Sequence, residues 1–216
     1  TSFYADLWGR TRLGPLSFEL EAAFVYGKGN ATDLGIEDLK LLGGGGAFTA
    51  GIEILPIGGE FQLGVASGDS DPTDAELHTF SFDRDFDVAL LMFQEPMPVF
   101  RHLDPGPDNL GIDSSMTVQG DTVSNAVYVK PSFFFDPLDN LRLRLDFIAA
   151  GRIATIEPDL SAEEKHLGIE VDFDARWTLY ENFELGATVG VMVPGPQFEP
   201  YTDTVFGTEI RGIIRF

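Results

Sequence analysis

Charged residues recur at every second position in two neighbouring stretches of this chain. Arg142, Arg144 and Asp146 alternate with Leu141, Leu143, Leu145 and Phe147. Glu170, Asp172, Asp174 and Arg176 alternate with Ile169, Val171, Phe173, Ala175 and Trp177. A period of two places the charges on one face of an extended strand and the apolar residues on the other. The same parity elsewhere collects Arg10, Arg12, Glu19, Glu21, Glu53, Glu60, Lys130, Arg152, Glu184, Glu209, Arg211 and Arg215. Opposite charges on a shared surface can do two things. They can pair into a wall that holds a shape, or they can set a field along a wet path and sort ions. Both need the same residues, and the sequence leaves the two open. A midplane Arg or Lys facing lipid costs roughly 2–4 kcal/mol. If these strands cross a bilayer, the charged face must therefore line a lumen, open or plugged. The candidate lumen residues are Arg10, Arg12, Glu19, Glu21, Lys130, Arg142, Arg144, Asp146, Arg152, Glu170, Asp172, Asp174, Arg176 and Arg211.

A second cluster is acidic. Asp69, Asp71, Asp74 and Glu76 fall close together, and Asp83, Asp85 and Asp87 follow. Hard oxygen donors this close suit Ca²⁺, although the run lacks the glycine and terminal glutamate of a helix-loop-helix calcium loop. The alternative is a solvated acidic loop that meets divalent-bridged lipopolysaccharide. Apart from Ca²⁺ no cofactor is expected. Enzyme chemistry finds little support. His78, His102 and His166 sit in loops or at a rim, and none shares a strand face with a serine and an acid. Gly43-Gly44-Gly45-Gly46 is not a phosphate loop, since no Lys-Ser/Thr follows. It reads as a flexible entry into a strand.

Composition narrows the classes. The chain has 216 residues, 44% hydrophobic and 23% charged, which suits one folded domain over 1–216. No apolar run approaches the ~20 residues of a membrane helix, so any span must be a strand. A net charge of −21 opposes nucleic-acid binding. The absence of cysteine excludes thiolate metal sites and fits an oxidising compartment, without requiring one. A start at Thr1 without Met or leader reads as a processed chain or a fragment.

The charges must be carried by strands, and nine segments alternate with a period of two. They begin near residues 3, 16, 48, 61, 127, 141, 167, 183 and 205. Connections alternate in length. The short ones are Gly14-Pro15, Pro56-Ile57-Gly58, Asp136 to Asn140 and Tyr180-Glu181-Asn182; the long ones span about 27–45, 67–122, 153–166 and 194–204. Long strands, with short turns on one rim and long loops on the other, predict an all-β, antiparallel, up-and-down transmembrane barrel. The 67–122 connection is expected to lie outside the membrane or fold inward. Phe86 to Phe93 reads as a tenth strand, a loop helix or an inward-folded plug. Nine strands starting on the long-loop rim imply at least one further strand upstream, and so the C-terminal portion of a larger, even-stranded barrel.

The terminal strand, 205–216, puts Phe206, Ile210, Gly212, Ile214 and Phe216 on one face. It resembles the closing strand of bacterial outer-membrane barrels. The run Gly64-Val65-Ala66-Ser67-Gly68-Asp69-Ser70-Asp71-Pro72-Thr73-Asp74, followed by Thr79-Phe80-Ser81-Phe82-Asp83, resembles the porin-like barrels of the alginate-export type. The stretch 65–152 is also similar to outer-membrane proteins of delta-proteobacteria such as myxobacteria. The resemblance implies location in the cell outer membrane, contact with its lipid and lipopolysaccharide, and recognition of Phe216 by the barrel-assembly machinery. It implies a porin or channel that passes or exports small solutes or polysaccharide. The other expectation is a structural barrel with a closed lumen and partner-binding loops. Oligomeric state is left open.

Overall fold

The computed structural model describes all residues except 32–35, 71–73, 95–96, 99–117, 120–121, 156–163, 200–201 and 216. Nine long strands dominate it. They are β1 Ser2–Leu13, β2 Leu16–Ala31, β3 Ile36–Ile54, β4 Ile57–Ala66, β5 Ala126–Leu138, β6 Leu141–Arg152, β7 His166–Tyr180, β8 Phe183–Pro194 and β9 Val205–Ile214. Each pairs antiparallel with the next in chain order. Glu76–Leu77 adds a two-residue tenth member, parallel to Lys40–Leu41 of β3. Among the described residues no helix is long and apolar enough to cross a membrane.

The expected all-β, antiparallel, up-and-down order is therefore present, but the sheet is not closed. β1 and β9 are its two edges. The reason is directional. Eight antiparallel steps separate β1 from β9, so both run the same way, and joining them directly would need a parallel pair.

Two expectations about boundaries change. Most of the predicted long loop 27–45 is strand: β2 continues to Ala31 and β3 starts at Ile36. Gly43 to Gly46 is consequently not a flexible entry but lies inside β3, paired with Val25 to Ala22 of β2. Bare backbone is needed there. A Cβ on Gly45 would come within 2.6–2.7 Å of the rings of Phe82 and Phe80, which lie across this stretch. Likewise Phe86 to Phe93 forms neither a strand nor a helix. It is an irregular segment laid against the charged face of the sheet.

The facing of the strands is inverted relative to a water-soluble sheet. Phe173 is 46% exposed while its neighbour Asp172 is 5% exposed. The same contrast sets Phe133 and Phe147 outward and Ser132 and Asp146 inward. The core lies on the charged side. Val88, Ala89, Met92 and Phe93 of the laid-in segment pack with Ala66, Tyr128, Ile148 and Met192, which are the apolar members of the inward parity near the long-loop rim. Leu167 joins this core, although period two assigns it to the outward face. An irregularity between His166 and Gly168, with Gly168 at φ 135°, turns it inward. β1 has nothing laid over it and is exposed along its whole length on both faces.

Candidate functional site

The inward face of β4 to β9 borders a half-open cavity of about 690 Å³. Its wall carries Glu60, Lys130, Arg144, Asp146, Asp172, Asp174, Arg176, Glu209 and Arg211, and the laid-in residues 87–91 and Gln94 close one side. A cavity shared by six consecutive strands requires the sheet to curve toward its charged face. The contact of Arg142 on β6 with Glu53 on β3 agrees. Those strands are three apart, about 14 Å on a flat sheet, yet Arg142 Nη2 donates to Glu53 Oε1 at 2.9 Å.

The charges are arranged in a ladder of pairs. Nearest the short turns, Arg142 donates to both oxygens of Asp136, at 2.8 and 2.7 Å, and lies 4.4 Å over the ring of Phe134. One step inward, Arg144 donates to Asp146 at 2.7 Å, Glu60 at 3.0 Å and Ser132 Oγ at 2.9 Å. Lys130 reaches Asp146 Oδ2 at 3.4 Å and donates to the Val88 carbonyl at 2.6 Å. On the adjacent strand, opposite Arg144 in register, Asp174 gathers Arg176 at 2.9 Å, Arg211 at 3.4 Å and the Thr188 hydroxyl at 2.9 Å. Arg176 and Arg211 remain substantially exposed to the cavity, and Asp174 does not.

Two candidate lumen carboxylates do something else. Glu170 and Asp172 are buried, and they accept backbone N–H groups from the laid-in segment: Leu91 and Met92 to Glu170 at 2.7 Å each, and Leu90 to Asp172 at 2.9 Å. Arg152 is buried at the long-loop end of β6, away from the cavity wall. Arg10, Arg12, Glu19 and Glu21 share the charged face but sit on β1 and β2, apart from this cavity. Arg10 pairs with Glu19 at 3.6 Å and Arg12 with Glu53 at 3.1 Å. Glu21 lines a second hollow of about 150 Å³ beside Phe80, Phe82 and Phe86. Phe216, the proposed assembly signal, lies outside the described residues.

The acidic cluster is only partly described, because Asp71 lies outside. Asp69 Oδ2 accepts from the His78 amide at 3.1 Å, and Asp74 Oδ1 from the Glu76 amide at 2.7 Å. Glu76 binds Lys40 Nζ at 2.6 Å, and this bond holds its carboxyl below the usual carboxylate range. Among the described residues no three His, Asp or Glu side chains converge as a metal site would require.

Sequence reasoning offered an inward-folded plug for Phe86 to Phe93 but missed what anchors it. Its anchoring groups are main-chain amides, which carry no residue-type signal. A cue did exist on the wall. A Cβ on Gly207 would stand 2.6 Å from Leu91, and one on Gly190 3.0 Å from Leu90, so these paired glycines leave a bare trough for the two leucines. Comparison with protein-family models and with curated proteins returns no match for this chain.

Proposed function

We propose that this chain is a portion of an outer-membrane β-barrel channel. Small solutes or polysaccharide would pass through a lumen whose wall is the charged face. The observation that carries this reading is the inverted facing: a nine-strand apolar surface turned outward and a charged, cavity-bearing surface turned inward. In water such a surface would be an aggregation hazard, whereas in a bilayer it is the solvated side. Exposed Trp177, Phe133 and Phe135 near the short turns suit an interfacial aromatic belt. In hydrocarbon the edge amides of β1 and β9 need partners. Because both edges run the same way, an odd number of further strands completes an antiparallel ring. Lipid, lipopolysaccharide and the barrel-assembly machinery are the partners this reading implies.

The competing reading is a structural barrel with a closed lumen. The full pairing of the cavity arginines and the seated segment favour it. Reconstitution in a planar bilayer separates the two, with discrete conductance steps expected for the channel. Arg176 and Arg211 are the residues to change, because their guanidinium groups are open to the cavity and Asp174 keeps the Thr188 hydroxyl as a donor when they are replaced. Replacing both with Gln leaves Asp174 without its cations. The reversal potential should move toward cation preference while folded yield stays close to that of the parent. An unmoved reversal potential would remove this wall from the ion path, and absence of conductance would favour the closed lumen.

A further inference from the structure

Residues 90–92 are neither helix nor strand, yet three successive amides there have strong acceptors. Glu170 uses both oxygens, one for Leu91 and one for Met92, each at 2.7 Å. Asp172 uses only Oδ2, for Leu90 at 2.9 Å. Asp172 Oδ1 is buried without a hydrogen-bond partner. Among the described residues neither carboxyl group forms an ion pair with Lys, Arg or His, and the backbone N–H groups of the laid-in segment are their donors. The contact is indifferent to the side chains at 90–92. It depends on having two acceptor oxygens at 170. Lys130 ties the neighbouring Val88 carbonyl at 2.6 Å, and Gly190 and Gly207 leave room for Leu90 and Leu91.

We propose that Glu170 is the latch that keeps segment 86–94 seated across the charged wall, and that unlatching it widens the lumen. The geometric half stands alone; the second half rests on the channel reading. The chemistry sets an asymmetry. Glu170→Gln replaces one acceptor oxygen with an NH₂ group, which then faces a backbone N–H, donor against donor. Asp172→Asn can keep its single acceptor toward Leu90 and turn its NH₂ to the side that Oδ1 leaves unbonded. Glu170→Gln should unseat the segment, and Asp172→Asn should leave it in place.

The test uses the full chain in lipid, with amide hydrogen exchange read at residues 90–92 and single-channel conductance read in parallel. In the parent, the Leu91 and Met92 amides should be protected despite lying outside regular structure; unprotected amides would overturn the latch without any mutant. Glu170→Gln should speed their exchange by about tenfold or more, the scale of leaving a buried donor unsatisfied, and should enlarge the conductance step. Asp172→Asn should stay within about twofold of the parent exchange rate, as expected when the hydrogen bond is retained. Equal effects of the two variants would overturn the proposal. Faster exchange in Glu170→Gln on a chain that never conducts would support the latch and sink the channel.

Discussion

Phe173→Arg should lower the stability of the lipid-reconstituted protein by roughly 2–4 kcal/mol. Phe173 stands at the middle of β7, opposite Leu145 of β6 and Val189 of β8, on the outward apolar face. It is 46% exposed, so little protein surrounds it, and the cost comes from the medium. In hydrocarbon the guanidinium must be dragged from water or must thin the bilayer to reach it. In water the same substitution would be nearly neutral and would improve solubility. The sign of the effect thus reports what touches this face. Denaturant titration in vesicles of stated thickness measures it. A change under about 0.5 kcal/mol, the range of ordinary surface substitutions, would mean that the apolar face does not meet lipid.

The second large effect is steric. Gly64→Val should destabilise by roughly 3 kcal/mol, at the upper end for overpacking a filled interior. Gly64 lies directly across from Tyr128, and a Cβ there would fall on the Tyr128 ring well inside van der Waals contact. Tyr128 cannot swing away, since it is 1% exposed and packs against Phe93, with ring centres 6.2 Å apart. Adding Tyr128→Ala should recover much of the loss, which a double-mutant cycle would read as strong coupling. If the two costs simply add, the ring and the glycine are not competing for one space. Unlike Phe173→Arg, this effect should be the same in detergent and in lipid.

The strands and their faces were readable because period-two alternation depends only on whether each side chain suits water or an apolar surface. Lys130, Arg144, Asp146, Asp174, Arg176 and Arg211 were placed together on that basis, and the cavity brings them together. The reading failed where side chains stop reporting. Gly43 to Gly46 have none, so a continuous strand looked like a loop. Leu167 followed the rule in sequence and broke it in space, because an extra residue at the bulge shifts the register by one. Arg10 and Arg12 share the charged face but lie apart from the cavity: charge pattern fixes a face, and curvature decides which parts of it meet. The anchoring of residues 90–92 was invisible because its donors are main-chain amides, common to every non-proline residue.

The laid-in segment also constrains the order of events in folding. Leu90 and Leu91 sit between β4 and β5 in the chain, yet their acceptors on β7 lie 82 and 79 positions later. Apart from β4 and β5, neighbouring strands zip through nearer connections, whereas these bonds close one of the longest loops among the described residues. The segment therefore has no berth until β7, β8 and β9 exist, and before then Val88, Met92 and Phe93 have no interior to enter. Docking of the segment is therefore expected after these strands have paired. The charged wall is formed first, and the segment that lies across it is seated afterwards.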